Sequence, residues 1–206
     1  PLPVIVVSSV SKSAFHAWNA GAVDFVAKPD RKAGKSNDSF INELIIKIKI
    51  ASTANLSQWK KKSKKVVSHA RPSWKNKLIA IGASTGGTEA ILSVLKSMPD
   101  YMPGIVIVQH MPPVFTKMYA ERLDNSVALH VKEAQTGDVV RQGCALVAPG
   151  DCQMIVEKST DIYKVKCYTG EKVNGHCPSV DVLFHSVAQA AGRNAIGVIL
   201  TGMGYD

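Results

Sequence analysis

Leu78-Ile79-Ala80-Ile81-Gly82-Ala83-Ser84-Thr85-Gly86-Gly87-Thr88-Glu89-Ala90-Ile91-Leu92 contains the change of period that sets the fold. Leu78 to Ile81 is a short unbroken apolar run, which reads as a buried strand. From Glu89 onward Ile91, Leu92, Leu95 and Met98 recur at helical spacing. Between strand and helix one hydroxyl, Ser84, sits in a G-x-S-x-G arrangement with Gly82 and Gly86. Glycines permit a tight turn that exposes the hydroxyl, and the helix start behind it offers free N–H groups. A nucleophilic serine is one reading. A loop that cradles phosphate, in a nucleotide-binding or non-enzymatic module, is the other. No G-x-x-x-x-G-K-[ST] pattern is present, so nucleotide motifs fit poorly.

Working outward, 206 residues suffice for one core or two small ones. No apolar run approaches the roughly 20 residues of a membrane helix. The start, Pro1-Leu2-Pro3-Val4, lacks the basic region of a signal peptide. Cys144, Cys152, Cys167 and Cys177 show no C-x-x-C spacing, so a reduced, cytoplasmic setting is expected and no metal site. The net charge of +9 is unevenly placed. Residues 30–77 hold 13 Lys/Arg against 3 Asp/Glu, while the rest of the chain holds 12 against 13. Basicity therefore belongs to a connecting segment, Lys60-Lys61-Lys62 and Lys64-Lys65 included, and gives no case for nucleic-acid binding by the folded parts.

Before that segment, Val4 to Val7 reads as a short strand ending at Ser8-Ser9. A helical stretch with Ala14, Phe15, Ala17 and Trp18 follows, then a strand around Asp24-Phe25-Val26 that stops at Lys28-Pro29. Phe40, Ile41, Leu44, Ile45 and Ile48 line one side of a helix, with Asp38 or Ser39 as its N-cap. This β-α-β-α pattern, with Ser8, Ala20-Gly21-Ala22-Val23-Asp24-Phe25-Val26 and Lys28-Pro29, resembles the C-terminal half of a response-regulator receiver domain. The resemblance implies that Ser8 and Lys28 sense phosphorylation of an Asp on an earlier strand, and makes Lys28–Pro29 a candidate cis peptide. The expected organisation is a half receiver at 1–52, a basic linker at 53–76 and a second domain at 77–206.

In the second domain, Ile105 to Val108 is another buried-type run, ending at Gln109-His110. Pro112-Pro113 opens a helix whose apolar side carries Val114, Met118 and Leu123. Strands are expected near 128–133, 144–148, 153–157 and 163–168, with an antiparallel hairpin among them. Pro178-Ser179 starts a helix with Val182, Leu183, Ser186 and Val187 on one side. Ala195 to Leu200 is a third buried-type run, followed by Thr201 to Asp206. The expected class is α/β: a partial flavodoxin-like receiver, then a doubly wound, mainly parallel sheet with a hairpin.

In such a sheet the loops after parallel strands meet at the carboxyl edge. Ser84, His110 and Asp206 each follow a strand there, and together have the chemistry of an acyl-transfer triad. His130, His176 and His185 compete with His110, and Asp206 alone also reads as the N-cap of a helix following it.

Residues 78–206 resemble the chemotaxis protein-glutamate methylesterase family. The matching stretches are Ile81 to Glu89, Gln109 to Thr116, Ala148-Pro149-Gly150-Asp151, Pro178 to Phe184 and Leu200 to Asp206. The resemblance implies Ser84 as nucleophile, His110 as base, Asp206 as its partner, and main-chain groups at Thr85 and Met203 as the oxyanion hole. It implies hydrolysis of γ-glutamyl methyl esters on chemoreceptors, deamidation of receptor glutamines, and no cofactor. It implies chemoreceptors and a chemotaxis histidine kinase as partners, membrane proximity only through the receptors, and a monomer. Gln153 stands where many members have a His. Family members begin before Pro1 and continue past Asp206 with a Gly and a further helix. The chain is therefore expected to be a fragment that cannot run the phosphorylation switch. Its catalytic part is expected to be weakly and constitutively active once the C-terminus is restored.

Overall fold

A computed structural model describes residues 2–9, 16–17, 20–29, 37–52, 74, 76–202 and 206. The chain divides into two compact units, residues 1–62 and 63–206. Nearly all of the expected linker lies outside the described residues, as does most of the helical stretch around Ala14 to Trp18.

In the first unit, β1 (Ile5–Ser8) pairs in parallel with β2 (Asp24–Ala27), Ser8 opposite Ala27. Helix α1 (Asn37–Ser52) begins one residue before Asp38, so that acid lies in the first turn rather than at the cap. Buried Asp24 accepts from the Phe25 N–H at 2.8 Å and from Lys47 Nζ at 3.2 Å, which ties α1 to β2. Ile41, Ile45 and Ile48 are exposed, so the apolar side expected of this helix is only partly covered among the described residues. This partial parallel β/α arrangement is consistent with a receiver-like fold. The cis peptide found among the described residues precedes Pro178; Lys28–Pro29 is not cis.

The second unit is built on five parallel strands in the order β5-β6-β4-β3-β9. They are β3 (Leu78–Ala83), β4 (Gly104–Gln109), β5 (His130–Glu133), β6 (Cys144–Val147) and β9 (Ala195–Ile199). Every residue of β3 and β4 is buried, as unbroken apolar runs require in a sheet covered on both sides. Side chains alternate across the sheet. Leu78, Ala80, Val106 and Val108 join one core with Leu183, Val187 and the apolar residues of the hairpin β7 (Gln153–Ser159) and β8 (Ile162–Tyr168). Leu183 and Val187 belong to α4 (Val180–Ala191). Ile79, Ile81, Ile105 and Ile107 point the other way, the side served by α2 (Gly87–Lys96) and α3 (Phe115–Asp124). Their core residues are Ile91, Leu95, Tyr119 and Leu123. The sheet is doubly wound and the hairpin is antiparallel, as expected.

Two apolar expectations need correction. The third buried-type run, β9, pairs only with β3 among the described strands and is exposed, Ile199 to 74%. A strand paired on one side and a strand paired on both read alike when both are apolar. Val114 does not join the apolar side of α3. That helix starts at Phe115, and Val114 is its exposed N-cap with φ 74°. Positive φ brings a β-branched side chain against its own backbone, a strain of about 1–3 kcal/mol. Glycine relieves it at a backbone-entropy cost of about 0.5–1 kcal/mol. Val114→Gly is therefore expected to stabilise the protein by about 1 kcal/mol, read as a raised urea midpoint with unchanged slope. A lowered midpoint would show that Val114 is held by contacts worth more than its strain.

Candidate active site

Ser84 follows β3 directly. The Gly87 N–H donates to the Ser84 carbonyl at 2.8 Å, closing a four-residue turn. Gly86 has φ 75° and ψ −4°, the third-residue geometry of a type II turn, which glycine adopts without strain. The same Gly86 is the N-cap of α2. Ser84 therefore stands at a helix start, half-buried, with its backbone N–H donated to the Thr201 carbonyl at 2.9 Å. Parallel pairing carries on past the strand ends: Leu200 N–H donates to the Gly82 carbonyl at 3.0 Å and His110 N–H to the Ala83 carbonyl at 3.2 Å. The loops after β3, β4 and β9 are thus pinned to one another at one edge of the sheet.

His110 Nδ1 lies 3.1 Å from Ser84 Oγ, and His110 Nε2 lies 2.8 Å from Asp206 Oδ2. Three residues separated by 26 and 96 positions form one hydrogen-bonded chain. An ionised carboxylate can only accept. Nε2 must then carry the proton it donates to Asp206, which leaves Nδ1 with a lone pair to accept the Ser84 hydroxyl proton. Next to Ser84 and Asp206 is a cavity of about 120 Å³ lined also by Gly82, Val180, Ile199 and Thr201.

Asp206 sits on the N-terminus of α4. Its Oδ1 accepts from Ser179 Oγ at 2.5 Å and from Asp181 N–H at 3.2 Å; its Oδ2 accepts from Val180 N–H at 2.7 Å as well as from His110. Ser179 is the helix N-cap, and its Oγ accepts from Val182 N–H at 3.2 Å while donating to Asp206. Burial pushes the Asp206 carboxyl up, but these donors outweigh it and hold the group below the ordinary carboxylate range. A helix N-terminus favours the same ionised form. Asp206 thus serves the triad and the start of a helix that precedes it in sequence, whereas the cap reading concerned a segment after it, outside the described residues.

His176 is stacked on His110, ring centroids 3.8 Å apart and planes 9° from parallel. Burial, then the facing His176, lower the His110 pKa, against the hydrogen bond and charge of Asp206. His110 consequently stays neutral, as a base must, to lower pH than a free imidazole. His110, His176 and Asp206 each bring one ligand-type atom within 4.8 Å of the others. Lone pairs in two parallel ring planes do not converge on one point at about 2.1 Å from each nitrogen, so this arrangement does not fit a metal ion.

A family model described as CheB methylesterase matches residues 79–206. The chain belongs to the CheB methylesterase family.

Relatives within the CheB methylesterase family include the protein-glutamate methylesterase/protein-glutamine glutaminase 2 of Syntrophomonas wolfei, 54% identical over all 206 residues and 60% of that protein. The protein-glutamate methylesterase/protein-glutamine glutaminase of Escherichia coli is 46% identical over 100% of this chain and 60% of its own length. The chain thus spans about three-fifths of these relatives. The crystal structure of the Thermotoga maritima CheB methylesterase catalytic domain superposes with a TM-score of 0.61 at 39% identity, covering 63% of this chain and 69% of that one.

Of the residues singled out in the sequence, Ser84, His110 and Asp206 come together; His130 and His185 do not. His130, the first residue of β5, pairs with Asp124 at 3.0 Å, and His185 is exposed on α4. Thr85 lies buried in the Ser84 turn, its carbonyl accepting from Thr201 Oγ1 at 3.2 Å. Met203 lies outside the described residues. Ser8 and Lys28 are neighbours at the ends of β1 and β2, Lys28 N–H donating to the Ser8 carbonyl at 3.1 Å.

Sequence reasoning passed over Ser179 as a partner of Asp206. It did read a helix start there, which was the available signal. It also passed over the work of Gln153. Buried Gln153 accepts from Ser179 N–H at 2.8 Å and donates to the carbonyls of Glu171 at 2.9 Å and His176 at 3.4 Å. Gln153 thus holds both the cap of α4 and the loop that carries His176.

Proposed function

We propose that the protein is a serine hydrolase that demethylates γ-glutamyl methyl esters on chemoreceptors and deamidates receptor glutamines. The observation that carries the reading is the unbroken hydrogen-bonded chain from Ser84 through His110 to Asp206. Ser84 gives its proton to His110 Nδ1 as Oγ attacks the ester carbonyl, and the imidazolium is stabilised by Asp206. The tetrahedral oxyanion is met by main-chain N–H groups at Thr85 and Met203. Collapse expels methanol, or ammonia from an amide, with the proton returned from Nδ1. Water then repeats the cycle on the acyl-enzyme and regenerates Ser84. The nucleophile, base and acid are all organic, and no cofactor takes part in this scheme.

The regulatory part of the reading rests on the first unit. Ser8 donates to, and Lys28 pairs with, a phosphoryl group placed by a chemotaxis histidine kinase on a receiver Asp, and this change of charge releases the catalytic domain. The domains so proposed are a receiver half at 1–52, a linker at 53–76 and a catalytic domain at 77–206.

The test is covalent labelling of the full-length protein with a serine-directed phosphonate, located by peptide mass, alongside methanol release from methylated receptor membranes. A label on Ser84 that abolishes release is expected. A label elsewhere, with release intact, overturns the proposal. The pH profile gives a further check. Among the described residues, the ionisable groups facing His110 are His176 and Asp206. His176→Phe keeps a stacked ring and removes a group that depresses the His110 pKa. The acid limb of kcat/KM is expected to move to higher pH in this variant. A shift to lower pH would show that His176 acts on His110 in the opposite sense.

A further inference from the structure

Gln109 ends β4, opposite Ala83 in the register, and is 3% exposed. Its side-chain Nε2 donates to two main-chain carbonyls: that of Ser84 at 2.8 Å and that of His110 at 3.3 Å. One amide nitrogen thus joins the backbones of the nucleophile and the base. The Ser84 carbonyl also receives the Gly87 N–H, so the turn that presents Oγ is held from inside the helix and from the neighbouring strand.

The other end of the same amide is unusual. Gln109 Oε1 is buried and has no hydrogen-bond partner. It lies where a Cβ on residue 87 would be, and glycine at 87 leaves that space open. Flipping the amide would place Oε1 against two carbonyl oxygens, so the orientation is settled by acceptor–acceptor repulsion. A buried acceptor without a partner costs about 1–3 kcal/mol, comparable with what the two donated bonds return. For stability alone, an apolar side chain of the same length would serve about as well. What it could not do is tie the two backbones together.

We propose that Gln109 is a positioning residue for the reaction: its amide sets the separation of Ser84 Oγ and His110 Nδ1 by clamping both main chains. The proposal rests on the triad reading above. Gln109 does not touch substrate and transfers no proton; it acts through the two residues it binds. The 3.1 Å between Oγ and Nδ1 is the distance it maintains. Displacements of about 1 Å in such pairs cost about 100-fold in rate.

The experiment uses Gln109→Met in the full-length protein, with methanol release and phosphonate labelling of Ser84 as readouts. Methionine matches the length, removes both donors and also removes the orphaned acceptor. A thermal midpoint close to wild type is expected, with kcat lowered about 10- to 100-fold, KM unchanged, and labelling slowed by the same factor. Wild-type kcat and labelling rate in Gln109→Met overturn the proposal. So does a fall in kcat that merely tracks a loss of folded protein. Should Gln109→Met not fold, the wild type decides: slow exchange of the Gln109 side-chain amide protons is expected, and free exchange with solvent overturns the clamp. Ser84→Ala run beside it separates the two claims. If Ser84→Ala retains activity, the triad reading fails. If Ser84→Ala is inactive while Gln109→Met is fully active, only the positioning role fails.

Discussion

Ser84→Ala is expected to reduce methanol release from methylated receptor membranes by on the order of 10⁵- to 10⁶-fold, the scale seen when a triad nucleophile is removed. The loss should fall on kcat, since the hydroxyl is used in bond making and the small alanine leaves the cleft open. Stability should hardly change. The backbone of Ser84 is fixed through groups that alanine retains: its N–H on the Thr201 carbonyl, and its carbonyl under Gly87 and Gln109. Only the bond from Oγ to His110 Nδ1 is lost, about 1 kcal/mol. Steady-state release and a thermal melt measured on the same sample check both halves. Near-normal release from a folded variant would remove Ser84 from the chemistry altogether.

Asp206→Asn should be the second most damaging change, and it should act twice. In catalysis it substitutes a group that is both donor and acceptor for one that only accepts. His110 loses the partner that fixes the proton on Nε2, and the tautomer that offers Nδ1 to Ser84 is no longer favoured. Such a change costs on the order of 10⁴-fold in kcat. In folding, the carboxylate accepts from Ser179 Oγ, Val180 N–H, Asp181 N–H and His110 Nε2. An amide places its NH₂ against some of these donors, and each buried donor left unpaired costs about 1–3 kcal/mol.

The pH dependence separates the charge from the shape. The Asp206 carboxyl is lowered by its donors in the folded state, against the upward push of burial. It therefore contributes stability above the unfolded carboxylate pKa of about 4, and this is lost as pH falls through the lower folded value. Wild type should lose melting temperature across that acid window by more than Asp206→Asn does. Parallel curves for the two proteins would mean that the Asp206 charge contributes nothing to folding.

Much of this was legible in the chain, for identifiable reasons. Ile79-Ala80-Ile81-Gly82-Ala83-Ser84 announces strand and turn because period and glycine placement are local properties. The strands β7 and β8 were legible from their alternation, but not that these two form the hairpin, since the turn between them carries no glycine. What failed depends on neighbours. Ala195 to Ile199 and Ile105 to Val108 look alike as text, yet among the described strands one has a neighbour on one side and the other on both. Val114 looked like a core residue because its period fitted a helix, whereas the helix starts one residue later, after a backbone twist that no valine advertises. What Ser179, Gln153 and Gln109 bind went unread because a deciding partner of each lies 25 to 27 residues away at the end of another element. A polar residue closing an apolar strand shows that something must be satisfied there, but not which carbonyl will do it.

The placement of one carboxylate on the first turn of α4 has a consequence for how such a site drifts. Selection for thermal endurance alone, with no demand for turnover, would still retain an acid at position 206, since that helix start and its capping serine lean on it. The site keeps one of its three working parts through any period in which the reaction is idle, and a lineage that falls silent needs to recover only an alcohol and an imidazole.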